Sequence, residues 1–248
     1  MQIVELFWPA FLLLTLLVGI HAIFGLEIIK RGVIFTDLAI GQMAAVGMAL
    51  SIGFMAGEYQ SAMTFGFALL GAFIIVYVSK RVVHIEAFIG MLYAFSASGI
   101  ILLLSSSPDG AELFQKLSAT DILFTTPYDV AIAMVLYVAI ALVMFTFYPK
   151  LTGTLREYTF FTMLALMVTS SVQLAGVLVV FALLVAPAFI ALSQQKFKAL
   201  GLAWVVGLLV SMLALVVSYY YDYPTGYSIV FFQGFAVVLF SIFKTKSL

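Results

Sequence analysis

The chain has 248 residues, 65% of them hydrophobic and 9% charged, with 11 basic residues balancing 11 acidic ones. A soluble domain carries about 25% charged residues, and a mean hydropathy of +1.23 leaves too little polar surface to coat a water-soluble globule. An ordinary soluble enzyme is excluded, and a zero net charge provides no basic footprint for nucleic acid.

At about 20 residues per membrane helix the length allows eight to ten spans, so nearly all of the structure belongs in lipid. Charged residues and turn formers divide the chain into apolar stretches at 6–29, 38–57, 61–79, 87–104, 130–148, 158–193, 200–219 and 227–243. The first stretch has no basic segment before it and is of full spanning length, which reads as a retained helix and not a cleaved signal. It forms a hairpin with the second around Lys30 to Thr36. His21 lies nine residues before Lys30 and Gln42 six after Thr36, so both sit roughly 9 to 14 Å from the turn at ~1.5 Å per residue. Asp37 lies nearer the cytoplasmic end.

Ionisable groups inside spans are expensive and ordinarily face a partner or a cavity. His21, Asp37 and Gln42 are therefore the candidates for a substrate path, with Asp37 and His21 as candidate metal ligands. The alternatives are an interhelical hydrogen bond for His21 or Gln42 and an N-cap carboxylate for Asp37. Gln173 and Gln233 are the other polar side chains within apolar stretches. Glu27, His84 and Glu86 lie beside basic residues and read as solvated or ion-paired. Met43, Met48, Met55 and Met63 read as packing, because methionine fills irregular gaps. Gly53 and Gly57 have a common helix-packing spacing.

The connection from Ser105 to Tyr128 contains an amphipathic piece, Ala111 to Leu117, and ends in Thr126, Pro127 and Asp129. Those three residues predict an N-cap, a first-turn proline and a capping carboxylate for the next span. The stretch from Tyr158 to Ser193 would exceed 50 Å as one helix, against a hydrocarbon core of ~30 Å. Basic residues favour the cytoplasmic side of short loops. Placing Lys30, Arg31, Lys80, Arg81, Lys150, Arg156, Lys196, Lys198, Lys244 and Lys246 on that side leaves only Lys116 outside. The partition requires two crossings between Arg156 and Lys196, with a bend near Ser170, Ser171, Gln173 and Gly176. The expectation is an all-α, polytopic membrane helix bundle of about nine spans, or eight if part of that hairpin is re-entrant. Its amino terminus is outside and its carboxyl terminus cytoplasmic.

Pro187 is expected to end or kink the helix before it. After it, Gln194, Gln195, Lys196 and Lys198 surround Phe197 in a short amphipathic connector that a soluble partner can grip. Tyr219, Tyr220, Tyr221, Tyr223 and Tyr227 gather at the outer boundary, as an aromatic belt does. No G-x-x-x-x-G-K-[ST] loop occurs, so this chain has no Walker A site of its own. No H-E-x-x-H occurs either, and the absence of cysteine removes disulfides and thiolate metal sites.

Five segments together resemble the zinc/manganese/iron family of ABC importer permeases. RGVIFTDLAIGQMAAVGMALSIG (Arg31 to Gly53) resembles its second-helix region, and GVLVVFALLVAPAFIALS (Gly176 to Ser193) the segment before its coupling helix. SYYYDYPTGYSIV (Ser218 to Val230) is similar to its tyrosine-rich outer turn, marked here by Asp222, Pro224 and Gly226. HIEAFIGMLYAFSASGIILLLS (His84 to Ser105) and LSATDILFTTPYDV (Leu117 to Val130) follow the family pattern in the same order. The resemblance covers nearly the whole chain.

It implies a single transmembrane permease domain over residues 1–248 that pairs with a second permease copy and docks two cytoplasmic ATPase subunits. An extracytoplasmic binding protein would deliver a divalent metal, zinc or manganese ahead of iron, across the inner membrane of a prokaryote. ATP would be used by the partner, with no cofactor bound here. Gln194, Gln195, Lys196, Phe197 and Lys198 become the coupling loop. Many members carry a His four residues after the second-helix Asp; here that position is Gly41, followed by Gln42. A proton-coupled secondary transporter using Asp37 and His21 is the alternative, and a structural membrane subunit with no pathway is a third.

Overall fold

Apolar runs of spanning length must satisfy their own backbone hydrogen bonds in lipid, which the helix does within one segment. The computed structural model describes residues 2–105, 122–194 and 198–244. Nine α-helices occupy them: α1 Gln2–Arg31, α2 Thr36–Phe54, α3 Gln60–Ser79, α4 Ile85–Ser105, α5 Pro127–Leu142, α6 Gly153–Ala175, α7 Val177–Leu192, α8 Ala199–Tyr221 and α9 Thr225–Phe243. Eight are long and apolar enough to cross a membrane, counting α5 with the turns that continue it to Lys150. The remaining helix, α7, has 16 residues, about 24 Å at 1.5 Å per residue. The chain is thus the all-helical polytopic protein its composition predicts.

The long apolar stretch is broken once, at Gly176, whose φ of 84° and ψ of 155° separate α6 from α7. That conformation is essentially closed to residues with a Cβ. Ser170 and Ser171 do not mark the bend: both are buried inside α6. Pro187 does not end its helix, because α7 runs through it to Leu192. One hydrogen bond, to the Leu183 carbonyl, is the cost of its missing N–H.

The start of α5 is closed as its sequence predicts. The Asp129 carboxylate accepts from the Thr126 N–H at 3.0 Å and its hydroxyl at 2.6 Å, while the Asp129 N–H donates to Thr126 Oγ1 at 3.2 Å. Its far end is irregular, passing through a wide π turn at Val143–Phe147 and a tight 3₁₀ turn at Tyr148–Lys150. Pro149 lies within that change, where it withholds a backbone donor.

The helices gather into two compact units. The first comprises Met1–Gly32, Asp121–Val135 and Leu174–Leu248, the second Val33–Thr120 and Leu136–Gln173. In the first, α7 packs against α1, α8 and α9. It carries no polar side chain and most of its residues are buried, as befits a helix apolar on every side. Gly207 of α8 lies against Val18 and Pro187, and the Trp204 Nε1–H donates to the Gly19 carbonyl at 3.0 Å. In the second unit α2 packs on α3 and α4. Met43 is buried there against Gly71, in the packing role expected of it.

Candidate functional site

Asp37 occupies the second position of α2, one residue inside the helix; the N-cap is Phe35. The first turn is fixed by Thr36, whose hydroxyl donates to the Val33 carbonyl at 2.8 Å. Asp37 is therefore not the cap residue. Its side chain is buried, and neither carboxylate oxygen completes a hydrogen bond. A carboxylate so buried is costly unless a proton, a cation or the first-turn amides of α2 offset its charge. One turn further, Gly41 is also buried on α2 and offers no side chain to share that task. Gln42 is half-buried and lies about 140° around the helix from Asp37, so the two side chains leave α2 in different directions.

His21 lies in α1 of the first unit, while Asp37 and Gln42 lie in the second. It is fully buried, and its Nδ1 donates to the Leu17 carbonyl at 2.7 Å. That bond fixes the neutral tautomer in which Nε2 keeps its lone pair, and Nε2 has no partner. The imidazole is thus held ready to accept a proton or ligate a metal. Among the described residues, no three His, Cys, Asp or Glu side chains group closely enough to hold a metal ion.

Several other polar groups of the spans have structural partners. The buried Gln233 amide donates to the Gly207 carbonyl at 3.2 Å and to Ser211 Oγ at 2.9 Å, tying α9 to α8. Gln173 is exposed near the end of α6. Tyr137 of α5, which polar-residue reasoning passed over, meets Ser171 Oγ at 2.9 Å and Ser170 Oγ at 3.4 Å. Its signal was a hydroxyl-bearing ring in the middle of a span. Glu27 pairs with Arg31 at 3.6 Å, Glu86 accepts from the Ile34 N–H at 3.3 Å, and His84 is exposed, all as expected of residues near span ends.

The loop after α7 is anchored at both ends. The Gln194 N–H donates to the Ala191 carbonyl at 3.1 Å, and Lys198 is the N-cap of α8. Lys244 Nζ donates to the Ser193 carbonyl at 3.0 Å, bracing the root of the loop from α9. Gln195, Lys196 and Phe197 lie outside the described residues, as do Lys116 and the segment Ala111 to Leu117. Asp222 and Pro224 lie in the turn between α8 and α9, and Gly226 in the first turn of α9. Asp222 caps α8 in the left-handed conformation and Pro224 caps α9. Ser218 Oγ closes that turn on the Tyr223 carbonyl at 2.6 Å and on Thr225 Oγ1 at 2.9 Å.

The profile of the ABC 3 transport family matches residues 4–244. Manganese import system permease protein ScaB of Streptococcus gordonii is 28% identical over 239 residues, covering 88% of this chain and 84% of that protein. Manganese transport system membrane protein MntB of Synechocystis sp. is 31% identical over 200 residues, covering 73% of this chain and 63% of that protein. The solved structure of PsaBC from Streptococcus pneumoniae in complex with Fab shares the fold, with a TM-score of 0.79 over 99% of this chain and 94% of that one at 22% identity. With the family profile matched from the first helix to the last, and eight apolar helices of spanning length among the described residues, this chain belongs to the ABC 3 transport family as a multi-pass membrane permease.

Proposed function

We propose that the chain is the permease subunit of an ABC importer for a divalent transition-metal ion, manganese ahead of zinc, in the inner membrane of a prokaryote. The observation that carries this reading is the alignment with a manganese import permease along 88% of the chain. The donors support the preference. With Gly41 in place of a second-helix imidazole, the ionisable group that α2 offers is the Asp37 carboxylate, and oxygen donors suit manganese better than zinc.

In this account the chain hydrolyses nothing itself. Two separate ATPase subunits dock at the loop from Gln194 through Gln195, Lys196 and Phe197 to Lys198, a second permease copy completes the pathway, and an extracytoplasmic protein delivers the ion near the turn of Asp222, Pro224 and Gly226. The ATPase cycle switches access between the two faces. Purification of the chain from its native membrane tests the assembly. A Walker A ATPase is expected to accompany it, with turnover stimulated by the manganese-loaded binding protein. A chain that purifies without an ATPase and takes up manganese on a proton gradient alone would overturn the reading.

A further inference from the structure

At one end of the second unit, the last turn of α3 meets the first turn of α6. Lys80, the C-cap of α3, donates from Nζ to Thr154 Oγ1 at 3.0 Å and lies 5.3 Å from the centre of the Tyr158 ring. The Arg81 guanidinium stacks on Tyr77 at 4.0 Å, and that of Arg156 lies 4.8 Å from Tyr148. Below them Phe73 and Tyr158, with ring centres 5.9 Å apart, join the same two helices. Lys150 ends the 3₁₀ turn just before α6. Lys80, Arg81, Lys150 and Thr154 are exposed and Arg156 is partly buried. Across residues 77–81 and 148–158 these four cations face one acid, Glu157, while Glu86 is turned to the Ile34 amide.

Basic residues at a span end need no special explanation, but Lys80, Arg81 and Arg156 differ from free cations in how they are held. A cation resting on a tyrosine face is fixed in position, and a stacked guanidinium still directs its N–H edge outward. The ligand matching such a set of outward donors is a phosphate. At a span end the phosphates are those of lipid headgroups, and basic clusters between membrane helices attract anionic ones. The surface beside the cations continues this match, because Phe73, Phe147 and Leu155 are large, apolar and exposed. A charged head over an apolar flank is the outline of a phospholipid and not of free phosphate.

We propose that Lys80, Arg81, Lys150 and Thr154 form a binding site for the phosphate of an anionic phospholipid, whose acyl chains lie along Phe73, Phe147 and Leu155. The site is independent of the metal pathway and of the substrate's identity. Its test is native mass spectrometry of the full chain released from vesicles of phosphatidylglycerol, of phosphatidylcholine, or of phosphatidylcholine with inorganic phosphate. The chain is expected to retain phosphatidylglycerol over phosphatidylcholine. The double variant Lys80→Gln/Arg81→Gln should lower that retention about thirtyfold, and Lys30→Gln, at an exposed basic residue of the other unit, should leave it unchanged. Equal retention of both lipids, an equal loss in Lys30→Gln, or displacement of the lipid by inorganic phosphate would overturn the proposal. So would a double variant that keeps its lipid but no longer binds an ATPase, which would make the surface a protein-docking site.

Discussion

Gly25 of α1 lies against the main-chain carbonyl of Leu184 in α7, and the gap between them cannot admit a methyl group. The neighbouring Ala188 Cβ leaves the same position no sideways escape. With Ala22, Leu26, Ala191 and Ala203 packed in one buried cluster around it, this contact sets how closely α1 approaches α7.

Gly25→Ala should therefore separate two backbones, which cannot yield as a side chain does, and destabilise the purified chain by about 1 to 3 kcal/mol. Gly19, in the same helix, has nothing within 4 Å of its would-be Cβ. Gly19→Ala should leave the thermal midpoint unchanged or raise it, because alanine favours the helix by about 1 kcal/mol over glycine. Thermal unfolding of both variants in one detergent checks the contrast; equal midpoints would mean the close approach contributes nothing.

Gln233 and Ser211 make a second, polar joint, between α9 and α8. A double-mutant cycle with Gln233→Leu and Ser211→Ala should give a coupling of about 0.6 kcal/mol and no more than about 1.7, the range for hydrogen bonds between membrane helices. Measured additivity of the two substitutions would show that the amide relies on the Gly207 carbonyl alone.

How much of this was legible beforehand varies with the interaction that decides each feature. Most helices follow from hydrophobic length, so their approximate limits could be read directly, while the division of the stretch from Tyr158 to Ser193 into two was inferred from its excess length and the placement of basic residues on one side. Gly176 was one of several markers in a stretch too long to be one helix, and only its positive φ sets it apart from Ser170 and Ser171. Those serines turned inward because Tyr137, more than thirty residues away in the chain, presents a hydroxyl to them. No local pattern encodes such a partner. Asp37 was legible as a costly carboxylate, yet its place inside the first turn and its lack of a bonded partner depend on how Thr36 and Val33 close that turn. The division of the helices into two units also has no counterpart in span lengths or charges, since the chain passes repeatedly from one unit to the other.

The loop between α7 and α8 is expected to transmit the ATPase cycle. Replacing Gln194 to Lys198 with glycine and serine should leave the chain folded, because the bond from Lys244 to the Ser193 carbonyl and the α8 helix lie outside the exchange. ATPase turnover in the reconstituted complex should then lose its response to the loaded binding protein. A response equal to that of the unmodified complex would place the coupling surface elsewhere.

In the proposed function this permease passes a divalent metal along a route that includes Asp37, at the expense of ATP hydrolysed by a partner. Uptake of radiolabelled manganese into vesicles holding the permease, its ATPase and the binding protein measures this directly. Uptake is expected to need internal ATP, to be outcompeted by excess unlabelled manganese more readily than by zinc, and to fall at least about tenfold in Asp37→Asn while the protein inserts at its normal level. Manganese accumulation that persists unchanged in Asp37→Asn, or that proceeds without ATP, would contradict it.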